Sequence, residues 1–358
     1  MKWHRKLFML VAAITSLFCL SACSGTNITT KKEEGLSFDY GKINVLTSKG
    51  DYVEFFTLNN NVLKPLGQMN NVMEFLYNYE KSIYIYLIKV SDGEILPHNK
   101  IKIETPKIEQ VIDTSYNMSD LKLSPNGNRL VFRRFSKDSY ESVEGIVVYD
   151  LLKSKEHKLK TNSLISGDMY QWLDDNKLIY YAASSGENKS YGIYCYDLDK
   201  DRETPYFNNL EGYCTFLYPL GNKKIVFLEQ NRSDSKLIIA NLEKKERKVI
   251  SENIFEIYNI LWDKELNLLY YTALDQNENK TFIYQCDLNT NRQVRLNYSF
   301  PDEISNNGGL VKGDSNLIYF TGTKDGINNI YSYNPKNNAI SLITNKNDNY
   351  YLSGNHKN

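Results

Sequence analysis

The 358-residue chain carries 43 Lys and Arg against 43 Asp and Glu, so its formal net charge is zero. That balance excludes a generally basic nucleic-acid binder, which needs clustered positive charge. Hydrophobic residues at 41% and aromatics at 13%, including 28 Tyr, are too many for a disordered chain and enough for a sizeable core.

The chain opens with Lys2, Arg5 and Lys6, followed by an apolar run from Leu7 to Leu20. Such a run is too short for a bilayer core, which needs about 20 residues, but it suits the apolar region of an export signal. It ends in Leu20-Ser21-Ala22-Cys23, which resembles the lipobox of bacterial lipoprotein signals. The resemblance implies a diacylglycerol on the Cys23 sulfur and cleavage before it, removing residues 1–22. An ordinary secretory signal with a chance Cys is the alternative. Two or more acyl chains hold a protein stably where one is marginal. The expected location is therefore the outer, extracytoplasmic face of the cell membrane, with membrane lipid as one partner. Ser24 to Gly35 is small, polar and charged, a flexible tether whose random-coil reach is about 20 Å. The signal holds three of the basic residues and no acid, so the remainder is slightly acidic and has no attraction to anionic lipid.

From residue 36 onward the sequence predicts strands. Ile43-Asn44-Val45-Leu46, Tyr52-Val53-Glu54-Phe55-Phe56 and Ser82-Ile83-Tyr84-Ile85-Tyr86 fit two degraded repeat units. Clear repeats then run from about Asn117 to Thr344. Apolar triplets at Leu130-Val131-Phe132, Leu178-Ile179-Tyr180, Ile225-Val226-Phe227, Leu268-Leu269-Tyr270 and Leu317-Ile318-Tyr319 each follow a polar turn. After each triplet comes a second run that ends in an acid or amide: Asp150, Asp197, Asn241, Asp287 and Asn334. Those positions are 47, 44, 46 and 47 residues apart.

Turn signals every 8–12 residues between Ile-, Val-, Tyr- and Phe-rich runs predict a four-stranded antiparallel meander per repeat. One such sheet cannot bury both faces, and radial stacking does so while leaving only short edges. The expected fold is an all-β propeller over residues 36–358. A repeat of about 46 residues gives about seven blades, with six or eight open. Tyr350-Tyr351-Leu352 is placed to complete a blade begun by the N-terminal strands. The units resemble TolB-type, WD40-like propeller repeats, with Ser124-Pro125-Asn126-Gly127 and Tyr149-Asp150-Leu151 matching the consensus most closely. The other units keep the pattern but lose the Ser-Pro.

Chemistry is sparse. Cys195, Cys214 and Cys286 lie in apolar strand patterns, where buried free thiols are the expectation and a disulfide between two of them stays open. Beyond the signal the histidines are His98 and His157, expected in solvated loops, and His356 near the C-terminus. None sits beside a nucleophile motif. Asp197-Leu198-Asp199-Lys200-Asp201 mimics the start of an EF-hand loop. It has Arg202 where the loop needs Gly and Asn208 where it needs Glu, so a solvated turn is expected and no metal. No phosphate loop occurs, and no cofactor is expected. The recurring acid or amide caps the hairpin that follows it.

The propeller mouth remains. Aligning units places Ser119, Asp168, Tyr213, Tyr258 and Asn307 at the starts of innermost strands, with Tyr170 two residues further in. Tyrosines and short polar groups on a rigid rim suit peptide or sugar recognition. The expected function is a non-catalytic binding or scaffold module for an envelope protein, peptide or glycan, using Asp168, Tyr170, Tyr213, Tyr258 and Asn307. The alternative is a hydrolase or lyase in the central channel, which needs two or three converging carboxylates; Asp120 and Asp168 fall near that region. An accessory subunit of a membrane protein would instead show an exposed apolar patch on one face.

Overall fold

The computed structural model describes residues 38–90, 98–106, 109–114, 116–136, 143–185, 190–208, 210–221, 223–232, 234–345 and 348–353. The expected export signal and tether, Cys23 and His356 lie outside them. The repeats fold into seven antiparallel blades, resolving the choice among six, seven and eight. Blade 1 is made of Asn44–Ser48, Tyr52–Asn59 and Val62–Asn70, with Tyr351–Ser353 as its innermost strand. Blades 2 to 7 span residues 72–112, 118–158, 163–208, 213–251, 254–295 and 303–342.

The apolar triplets are apolar at every position because second strands are covered on both faces. Successive side chains of a strand point to opposite sides. Leu130 and Phe132 enter the core between blades 2 and 3, while Val131 enters that between blades 3 and 4. In blade 4, Leu178 and Tyr180 face blade 3, and Ile179 and Tyr181 face blade 5. Seven apolar clusters result, one at each junction between neighbouring blades. Tyr is the main filler: the twelve largest fully buried side chains are all Tyr.

The hairpin caps form as expected. The Oδ1 atoms of Asp150, Asp197, Asn241 and Asp287 each accept two backbone N–H groups from the turn that follows, and Asn334 accepts one from Lys336. In the Ser124–Gly127 turn the Gly127 N–H donates to Ser124 O at 2.8 Å. Gly127 has φ +72, and a Cβ there would meet Ile83 Cδ1 at 2.6 Å, so both backbone and packing require glycine.

Ring closure uses the C-terminal segment. Asn44, Val45 and Leu46 pair with Ser353, Leu352 and Tyr351. The same segment is tied to blade 7, where Gly309 N–H donates to Leu352 O at 2.7 Å and Leu352 N–H donates to Thr321 Oγ1 at 2.9 Å. On the other side of blade 1, Phe38 and Tyr40 enter an aromatic junction with Phe55 of blade 1 and Tyr86 of blade 2. One expectation is corrected here. His98 is not a solvated loop residue: it begins the strand His98–Glu104, is 5% exposed, and has Nε2 3.1 Å from Asp113.

Candidate binding site

The first and third strands of an antiparallel meander run the same way, so their starts share one face of the disc with the connections between blades. On that face the two halves of the mouth differ in their polar groups, while Met73 and Val143 of blades 2 and 3 are also exposed at strand starts. At blades 2 to 4 the polar groups satisfy one another. The Glu74 carboxylate accepts the backbone N–H groups of Asp120 and Leu121 at 2.9 and 3.0 Å. Burial raises the Glu74 pKa above its ordinary value. Asp120, at φ +57 in a bulge of its strand, accepts Arg133 Nε at 2.6 Å and the Ser119 hydroxyl at 2.5 Å. Lys122 is nearly buried and donates to the carbonyls of Asp168 and Tyr170, with its ammonium 4.5 Å from the Tyr170 ring centroid.

At blades 4 to 6 apolar side chains stand in solvent. Leu164 is 69% exposed, Tyr213 61%, Phe255 49% and Tyr191 39%. Leu164, Tyr213 and Phe255 belong to the starts of the innermost strands, and Tyr191 begins the third strand of blade 4. Leu164 and Tyr191 both pair with Ala183 and therefore share a face of blade 4. Tyr191 stacks on Tyr181 at 5.7 Å and meets Tyr213 edge-on at 5.6 Å. Tyr213 pairs with Gln230, whose amide donates to the carbonyl of Phe255. Tyr191 and Tyr213 thus meet across two blades, Leu164 shares the face of Tyr191 one strand away, and Phe255 begins the next blade's innermost strand with its carbonyl on Gln230.

The residues expected at the rim divide. Tyr213 stands where expected. Asp168 is exposed, but in a four-residue bulge of blade 4 rather than at a strand start. Tyr258 is the fifth residue of its strand and half-buried; its hydroxyl donates to Glu256 at 2.9 Å, and burial pushes its pKa up to about 12. Asn307 is exposed in a break between Glu303–Ile304 and Leu310–Lys312, which share the innermost place of blade 7. Tyr170 is corrected: it is fully buried, and its hydroxyl donates to Asp120 O at 2.6 Å, so it joins blades 3 and 4 and presents no side chain at the rim. The blade 4 strand begins at Ser163, which the repeat alignment did not reveal. Leu164, Tyr191, Phe255 and Glu74 were missed. Trp172 is core, donating to Lys122 O at 2.9 Å.

The other candidate chemistry is largely absorbed into structure. Cys195, Cys214 and Cys286 are free and buried, which closes the disulfide question. Burial pushes their thiols up to about 11, 12 and 11, which disfavours the nucleophilic thiolate. In the EF-hand-like turn, Asp197 caps the backbone, Asp199 accepts Asn176 Nδ2 at 2.8 Å, and Asp201 accepts Lys160 Nζ and the Tyr196 hydroxyl at 2.5 Å each. Those donors hold the Asp201 carboxyl down at about 2, led by Lys160, and His157 Nε2 lies 3.2 Å away. Among the described residues no group of three His, Cys, Asp or Glu side chains could hold a metal ion.

No protein-family model matches the chain, and no curated protein matches it. Solved structures do. The chain is similar to an uncharacterized protein from Listeria monocytogenes at 11% identity, covering 86% of this chain and 92% of that one, with a TM-score of 0.59. It is also similar to oligogalacturonate lyase from Vibrio parahaemolyticus at 11% identity, covering 88% and 85%, with a TM-score of 0.55. The β-propeller domain of the Trilobed protease from Pyrococcus furiosus, described as having an open velcro topology, matches at 16% identity over 77% and 85%, with a TM-score of 0.53. At these identities the likeness shows the fold alone, a seven-bladed β-propeller.

Proposed function

We propose that this is a lipid-anchored extracytoplasmic protein that acts by binding through the rim of blades 4 to 6, with a TolB-type repeat as its scaffold. The observation that carries the reading is the exposed Tyr191–Tyr213 pair, with Leu164 and Phe255 exposed at the starts of innermost strands of blades 4 and 6. Seventeen Tyr side chains are buried in the core, so Tyr in solvent at neighbouring positions on one face is the exception. Tyr offers a large rigid face with a polar tip, which suits recognition at low entropic cost. The accessory-subunit idea asked for an apolar patch on one face, and these side chains support it.

The test is crosslinking in intact cells with the native protein beside a Tyr191→Ala/Tyr213→Ala double variant. A partner captured by the native form and lost in the variant supports the reading. Equal capture by both, or none by either, overturns it. Lipidation is read separately, as fatty-acid label present on the native chain and absent from Cys23→Ser.

Catalysis in the channel is the second reading, favoured by Glu74, whose carboxyl is driven toward the protonated form beside Asp120 and Tyr170. Both Glu74 oxygens are engaged by backbone N–H groups, which is the geometry of a structural clamp. An activity abolished in Glu74→Gln while partner capture persists would favour the enzyme.

A further inference from the structure

The charge around the mouth narrows the partner. The connections into blades 4 to 7 and the beginnings of their innermost strands cover residues 159–170, 209–216, 252–260 and 296–310. They hold six carboxylates: Asp168, Glu211, Glu252, Glu256, Asp302 and Glu303. All six are exposed, and none enters an ion pair among the described residues. Glu256 accepts the Tyr258 hydroxyl and Asp302 accepts the Asp325 N–H, bonds that leave both charges in place. The one base in these stretches is Lys160, already held by Asp201. At blades 1 to 3 the corresponding acids are engaged: Asp348 by Lys49, Asp120 by Arg133, Glu74 by two backbone N–H groups, and Asp113 lies 3.1 Å from His98 Nε2.

We propose that the rim of blades 4 to 6 takes a cationic polypeptide segment. An apolar or aromatic side chain of that segment packs among Tyr191, Tyr213 and Phe255, and Lys or Arg side chains on either side meet Glu211, Glu252 and Glu256. This rests on the binding reading above and specifies its partner. Glu211 precedes Tyr213 by two residues, and Glu252 and Glu256 flank Phe255, so the charges border these apolar side chains. Complementary charge fixes register and raises the association rate, while an acidic partner would meet uncompensated repulsion. Exposed Tyr faces add cation–π attraction for the same side chains. The carboxylates are spread over several blades and form no metal-holding group, so the array suits an extended partner with several charges rather than one metal ion.

The experiment pans the full chain, purified from membranes, against a random twelve-residue peptide library. The strongest selected peptide is then titrated calorimetrically at two salt concentrations. The expected result is enrichment of net-positive peptides with at least one aromatic or aliphatic residue. Affinity should fall tenfold or more in Tyr191→Ala/Tyr213→Ala, several-fold in Glu211→Gln/Glu252→Gln/Glu256→Gln, and with added salt. Both variants should keep the thermal unfolding midpoint of the parent, since all five positions lie at the surface. Neutral or acidic peptides that depend on the two tyrosines would overturn the cationic partner and leave rim binding standing. Peptides bound equally by parent and variants would overturn both. If no peptide is enriched, the polypeptide partner is overturned, and titration of the same variants with a wall oligosaccharide then decides whether rim binding survives.

Discussion

The two halves of the propeller mouth start from the same repeat and end in opposite states. Around blades 2 to 4, Glu74, Asp120, Arg133, Lys122 and Tyr170 are spent on one another and on backbone groups of the neighbouring blade. Around blades 4 to 7, six carboxylates without an ion pair among the described residues and several apolar side chains are exposed to solvent. Partly buried polar groups that satisfy one another lock blade to blade, because leaving one unmatched is costly. Exposed groups without partners contribute little to stability and stay available to a ligand. On this comparison the first half holds the ring and the second half does its work outward.

The sharpest way to break the comparison is Glu74→Ala, which strips the acceptor from two backbone N–H groups. It should lower unfolding free energy by about 2 kcal/mol or more in urea titrations. The pH dependence is a separate check. Because burial raises the Glu74 pKa, the associated stability is full below the ordinary carboxylate range and is lost as pH rises through the raised value. The parent should therefore lose stability relative to Glu74→Gln as pH rises from the ordinary carboxylate range through the raised value. Arg133→Ala, which leaves Asp120 without its guanidinium, should cost about 1–2 kcal/mol by the same titration. Across the mouth, Tyr213→Ala and Glu252→Gln should stay within about 0.5 kcal/mol of the parent. A loss there as large as that of Arg133→Ala would erase the distinction between the halves. The smallest effect belongs to a cap on the opposite face. Asn289 N–H lowers the Asp287 pKa, so the cap's contribution is full above the ordinary carboxylate range and is lost as pH falls through the lowered value. Asp287→Asn copies Asn241 and Asn334 and should remove that acid sensitivity in thermal melts, whereas Asp287→Ala should lower the midpoint slightly at all pH values.

The fold was legible because each blade repeats a local signal: a polar turn, an apolar triplet covered on both faces, and an acid or amide that caps a hairpin. The rim was legible only where strands begin at the repeat's usual register, as at Tyr213. In blade 4 the innermost strand starts early and carries Ser166–Met169 as a bulge, which moved Tyr170 from the mouth into the wall. Glu74 escaped because blades 1 and 2 lack the repeating turn, and its role depends on backbone N–H groups 46 and 47 residues away. Leu164 and Phe255 were hidden for a different reason: an apolar residue at a strand start reads as core until the bulges show which side chains are turned to solvent.

The three-residue seam between Tyr351–Ser353 and Asn44–Leu46 sets the order of events during synthesis. Blade 1 is begun before the other six and finished after them, because its innermost strand follows theirs in the chain. Until then Asn44–Ser48 is a bare sheet edge open to wrong pairing with other chains. A stop codon anywhere before Tyr351 therefore leaves blade 1 without its innermost strand and that edge exposed.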